Sequence, residues 1–213
     1  MYASFLQLLR IPEVRAKIGL TLLLLGVYRL GFSVVLPNVD QAILAESINS
    51  QGSGEGMDRM VAMLSLFSAS NIGMMTIFGL GIMPYISASI IMQLMTVASP
   101  TLEALKKEGE AGRRKITQYT RYGTAALAIF QSMAIAIGLE SQRGLVIEPG
   151  MMFRVIAMVT LTTGTIFLMW LGEQITERGI GNGISLLIFA GIAAGFPNAV
   201  GGTLELVRTG AMS

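Results

Sequence analysis

Charged residues along this chain are spaced so that five long apolar stretches lie between them. Crossing the roughly 30 Å hydrocarbon layer of a bilayer takes about 20 apolar residues in a helix. The first stretch, 18–36, follows Lys17 and contains one charge, Arg29. The second runs uncharged for 43 residues between Arg59 and Glu103, which is too long for one span. It divides into a short Met-rich amphipathic half-helix at 57–70, a break around Ser70-Asn71, and a full span at 72–98. The last three lie between Arg121 and Glu140, Arg154 and Glu173, and Arg178 and Glu205, with uncharged interiors of 18, 18 and 26 residues. They predict spans at 122–139, 155–172 and 184–204. Connecting segments fall at 37–56, 99–121, 140–154 and 173–183, with ends at 1–17 and 205–213. The glycines and small polar residues of 51–56 have nothing to bury and read as a flexible loop.

Composition sharpens the picture: 53% of residues are apolar and 13% charged, outside the range of soluble domains. The fold class is an all-α polytopic membrane helix bundle of five spans. The basic start and the Leu run after it imitate a signal peptide, yet the apolar stretch continues past Tyr28 without a small-x-small cleavage site, so a retained first helix is expected. With alternating sidedness, ten Lys and Arg fall on one side, four on the other, and Arg29 inside. The cation excess marks the cytoplasmic side, so the N-terminus is expected there. An odd number of spans is what one half of an inverted repeat provides; no repeat occurs within these residues, so a second copy is expected beyond Ser213.

The residues that could carry chemistry are few. Without Cys or His there is no thiol nucleophile, His-based triad, Cys/His zinc site or disulfide framework. No Asp or Glu falls deep in a span, as a carboxylate-dyad protease or an ion-coupled carrier would require. Every Lys lies toward the cytoplasmic side, far from a recessed serine. The glycine clusters at 79–84, 109–115 and 179–184 fail the spacings of nucleotide-binding loops, and close helix packing accounts for the 25 glycines. Neither a catalytic residue, a metal site nor a cofactor is expected. Arg29 either snorkels outward or pairs with a group on another segment. The mixed-charge segment at 106–115 is an orientation signal with affinity for lipid headgroups.

Four ordered motifs resemble the SecY family of protein-conducting channel subunits. They are YRLG (28–31) followed by LPNVD (36–40), GIMPYISASII (81–91), KEGEAGRRKI (107–116) and WLGEQITERGIGNGIS (170–185). The resemblance covers the whole chain and the N-terminal half of such a subunit. It implies two inverted five-helix halves around an hourglass pore, in the bacterial inner membrane. In that family the half-helix at 57–70, with Met60, Met63, Leu64 and Phe67, occupies the position of a plug. Ile82, Ile86, Ile188 and Ile192 match pore-ring positions, and Gln93 matches one side of a lateral gate. Implied partners are SecE, SecG, the SecA motor ATPase, the ribosome, signal sequences and unfolded polypeptides, membrane lipids and the C-terminal half of the same protein. The alternative expectation is one half of an inverted-repeat secondary transporter.

Sidedness is testable without reference to family. Single cysteines at Gly54 and Gln142 should react with an impermeant external thiol reagent, and one at Gly112 should not; labelling of the last position alone would invert the topology.

Overall fold

The computed structural model describes residues 11–40, 75–141 and 144–208. The described helices are α1 (Pro12–Gly31), α2 (Met83–Ala98), α3 (Pro100–Lys107), α4 (Glu110–Ser141), α5 (Met151–Arg178) and α6 (Gly183–Arg208). Among the described residues, two isolated antiparallel bridges, Val35 with Thr76 and Val39 with Val146, are the only extended pairing. The bundle is all-α, as the apolar pattern predicts.

The antiparallel helices α4 and α5 form its centre, and each is long and apolar enough to cross a membrane. The four charges that bracket their uncharged stretches pair crosswise. At one end Arg121 grips Glu173 with a two-point fork, Nε to Oε1 and Nη2 to Oε2, both at 2.8 Å. At the other, Arg154 Nε donates to Glu140 Oε2 at 2.6 Å. The 18 uncharged residues between these ends on each helix rise about 27 Å at 1.5 Å per residue, close to the thickness of the hydrocarbon layer. The bond to Glu173 raises the Arg121 guanidinium above its ordinary value, which holds it cationic.

From the first ionic end inward, α4 turns a buried stripe of small residues, Thr120, Thr124, Ala128, Ser132 and Ala136, one every fourth position. Small side chains let two helices approach closely where lipid offers no hydrophobic drive to associate. Thr120 and Thr124 donate their hydroxyls to the carbonyls of Ile116 and Thr120 on their own helix, and Ser132 shares a hydrogen bond with Thr162 of α5 at 3.3 Å. The outward face of α4 carries Phe130, Met133 and Ile137, exposed and suited to hydrocarbon.

The span expected at 72–98 differs in detail. Its helix begins at Met83, with Pro84 in the first turn, where the amide that proline lacks would be unbonded anyway. Residues 75–82 are a run of turns instead, tied to the end of α1 by Leu36 N to Met75 O (2.8 Å) and Ile77 N to Val34 O (3.1 Å). Phe78 anchors this run. Its ring stacks between Tyr28 of α1 and Phe167 of α5, with centroids 6.2 and 6.1 Å away, and meets Phe32 edge-on. Two glycines make room: a Cβ on Gly31 would lie inside the Phe78 ring, and one on Gly164 would strike the Ile77 carbonyl. The helix of the first expected span likewise ends early, at Gly31, because residues 33–40 peel away to pair with 75–77 and 145–147.

The cytoplasmic connection expected at 99–121 is mostly helical. Ser99 is extended (φ −110°, ψ 118°) ahead of Pro100, because a residue preceding proline is pushed out of the α region. The chain therefore turns by 99° from α2 into α3. Gly109, at φ 78°, turns it again into α4, whose first turns supply the rest of the connection. The corner is tight: a Cβ at Gly112 would strike the Leu105 carbonyl. The sidedness probe expected at Gly112 therefore belongs at exposed Lys115. The half-helix at 57–70 and the loop at 41–56 lie outside the described residues.

The glycine slots generate a stability test. Gly164→Ala should lower the thermal midpoint of the purified protein, the cost being the ~1–3 kcal/mol of an overpacked core. Gly19→Ala, on α1 with open space where its Cβ would go, should leave the midpoint unchanged or raise it, since alanine favours helix by up to ~1 kcal/mol. Equal effects at the two positions would refute the close approach at Phe78.

Candidate functional site

The isoleucines singled out by resemblance come from two elements. Ile82 is the residue that caps the start of α2, and its carbonyl accepts the Ile86 amide at 3.1 Å, so the pair stands one turn apart at the very beginning of the helix. Pro84 lies between them in the first turn and leaves their geometry helical. Ile188 and Ile192 stand one turn apart on α6.

Three of the four converge. Ile82 is buried (7% exposed) in a cluster with Phe78, Leu168, Leu171 and Leu187, and Ile86 and Ile188 pack half-buried against that cluster. Ile192 stays outside it and is 55% exposed. The arrangement is a graded aliphatic face: recessed at Ile82, half-covered at Ile86 and Ile188, open at Ile192. Branched aliphatic side chains offer no hydrogen bond, so a constriction built from them excludes water and ions while remaining indifferent to the sequence of whatever touches it.

Gln93 lies two turns beyond Ile86 on the same helix, exposed, donating from Nε2 to Ser89 Oγ at 3.3 Å. Its backbone carbonyl accepts the Thr96 hydroxyl at 2.7 Å. With Tyr85, Ser89 and Thr96 it lines one wall of a cavity of about 280 Å³, and Lys106 of α3 and Arg113, Thr117 and Thr120 of α4 complete it. Resemblance picked out Gln93; the spacing of Tyr85, Ser89 and Gln93, four residues apart in a mostly apolar helix, was the signal for its neighbours on α2.

Arg29 occupies the last turn of α1, where a cation complements the helix dipole. It is exposed, and its guanidinium carbon stands 6.0 Å from the centre of the Phe32 ring, at the outer limit of a cation–π contact. Met60, Met63, Leu64 and Phe67 lie outside the described residues.

An all-α bundle with membrane-length helices, a connection folded back into its core and an aliphatic face left partly uncovered defines a polytopic membrane protein of the channel or transporter kind. The family model described as SecY matches residues 76–213. The chain belongs to the SecY family. It is 53% identical over 201 residues to the protein translocase subunit SecY of Escherichia coli (strain K12), covering 93% of this chain and 44% of that protein. Against the same subunit of Pseudomonas aeruginosa the identity is 50% over 200 residues, covering 94% and 44%. Among solved structures, Sec61 in the canine ribosome-channel complex from the endoplasmic reticulum superposes with a TM-score of 0.58 at 20% identity, over 84% of this chain and 36% of that one. A structure titled as that of a protein conducting channel gives the same values; at that identity the likeness is one of fold. The chain thus spans about half the length, or somewhat less, of the curated relatives it matches.

Proposed function

We propose that this chain forms the N-terminal half of the central pore subunit of a Sec translocon, a passive protein-conducting channel for secretion across the membrane and insertion into it. The observation that carries the reading is family membership combined with a graded aliphatic face at Ile82, Ile86, Ile188 and Ile192. Similarity to translocase subunits favours this reading over half of a secondary transporter.

In this reading the chain crosses the bacterial inner membrane five times from a cytoplasmic N-terminus, along α1, α2, α4, α5 and α6. The C-terminal half of the same protein closes the pore against the aliphatic face. The four isoleucines contribute half of a ring that grips a passing polypeptide and seals against ions when none is present. Residues 57–70 plug the outer funnel, and the polar wall around Gln93 borders a lateral gate through which hydrophobic signal sequences reach lipid. The chain performs no chemistry of its own and needs no cofactor; SecA or the ribosome supplies the driving force, and SecE and SecG complete the assembly.

Changing Ile86 and Ile192 together to Asn in the full-length channel should hydrate the constriction, raise resting ion conductance and relax the requirement for a hydrophobic signal sequence. The same change at Leu127, on α4, should leave conductance at the wild-type level. An unaltered conductance in folded, partner-bound double-variant channels would remove these isoleucines from the seal.

Deleting residues 60–68 in the full-length channel should leave a folded protein with raised ion leak. Loss of folding instead would assign the half-helix to the core.

A further inference from the structure

Among the described residues, the turn between α5 and α6 is held by hydrogen bonds that come, with one exception, from within the hairpin itself. Gly179 N donates to Ile175 O at 2.8 Å, and Leu186 N to Asn182 O at 3.0 Å. The Thr176 hydroxyl accepts from Gly183 N at 2.8 Å while donating to Gly172 O, and Asn182 Oδ1 caps Ser185 N. The exception is Ile180, whose amide donates at 3.2 Å to the hydroxyl of Thr21, 159 residues earlier on α1. That hydroxyl in turn donates to Lys17 O at 2.8 Å, so both of its hydrogen-bonding roles are used and its direction is fixed. Thr21 is buried in the otherwise aliphatic run of α1. Gly179 fits against it so closely that a Cβ there would press on the hydroxyl oxygen.

We infer that Thr21 is a positioning residue for α6. Beyond this contact α1 packs chiefly on α5 and touches α6 lightly, so the hydroxyl is the polar tie from α1 to the start of the helix that presents Ile188 and Ile192. Ile188 lies about 7.5 Å along α6 from Gly183 at 1.5 Å per residue. A small tilt at the turn therefore moves Ile188, and Ile192 further still, relative to Ile86. Loss of the hydroxyl leaves the part-buried Ile180 amide without this acceptor, which favours a turn shifted toward another partner over the same turn with the bond missing. The consequence for the seal rests on the channel reading proposed above; the tie itself does not.

The test uses Thr21→Val, which keeps the branched shape and removes the hydroxyl, with Thr21→Ser restoring it. In a cysteine-free full-length channel carrying Ile180→Cys, whose side chain is partly exposed, Thr21→Val should speed thiol labelling from the cytoplasmic side by about two- to tenfold, the range set by the net worth of one hydrogen bond. Thr21→Ser should return the rate to that of the parent. Resting ion conductance should rise in Thr21→Val and not in Thr21→Ser. Unchanged labelling in Thr21→Val would overturn the tie. Faster labelling with unchanged conductance, in a channel where the Ile86 and Ile192 substitutions do raise conductance, would overturn the positioning role alone. If those substitutions also left conductance unchanged, the channel reading would fail and the positioning role with it. Failure of Thr21→Ser to restore either readout would assign the effect to packing and overturn the role of the hydroxyl.

Discussion

A charge left unpaired in hydrocarbon costs several kcal/mol, and the architecture depends on how α4 and α5 meet that constraint. Each helix carries opposite charges at the two ends of its apolar stretch and none between, Arg first and Glu last on both. Antiparallel packing then brings Arg121 to Glu173 and Arg154 to Glu140. As partly exposed pairs they contribute only ~1 kcal/mol or less apiece. Their larger effect is on register: a shift of one turn would separate both pairs together and draw charge toward the apolar zone. With the register fixed, the small-residue stripe of α4 meets α5 at Ser132 and Thr162, and the hairpin becomes the frame on which the other helices are placed.

The second constraint is backbone polarity. Non-helical backbone at membrane depth persists only where protein covers it, and residues 75–82 satisfy that condition with short-range turns and two hydrogen bonds to 34–36. Phe78 then supplies the burial, its ring held between Tyr28 and Phe167. The two glycine slots are what allow the turns to lie against helix backbone at Gly31 and Gly164 instead of standing off by a side chain. The start of α2 is therefore set by a long-range aromatic contact, with Pro84 defining the first turn.

How much of this was legible in the sequence follows from the range of each determinant. The helices were located by their bracketing charges because those charges act locally on where a helix may enter the bilayer. Even there α4 and α5 run well past the apolar stretches, since a helix does not stop at the headgroups. The bend into α3 went unread, although Ser99-Pro100 is a local signal for it that hydropathy alone does not register. The turns at 75–82 were not legible either: their residues are as apolar as a span, and the local signal of Gly79 and Gly81, the latter at φ 57°, is one that glycines in membrane helices share. At the site, isoleucine spacing carried almost no information by itself, because aliphatic residues one turn apart occur on every membrane helix. Resemblance selected the four positions, and Met60, Met63, Leu64 and Phe67 lie outside the described residues.

The exposure gradient along those four isoleucines separates two tasks that one side chain type performs. Ile82, buried beside Phe78 and Leu187, belongs to the packing that holds the start of α2 in place; polar substitution there would leave an unsatisfied group in the core and act first on folding. Ile192, more than half exposed, makes no such contribution, so its apolar character answers to whatever faces it across the open side of the bundle. Ile86 and Ile188 lie between these extremes, half-buried against the same cluster. Under the channel reading, a seal graded in this way is rigid at its root, where α2 is anchored against the hairpin. It yields at its edge, where the turn before α6 is tied to α1 through the Thr21 hydroxyl. A passing chain would then displace α6 more readily than α2, because among the described residues the aromatic contacts at Phe78 have no counterpart at exposed Ile192.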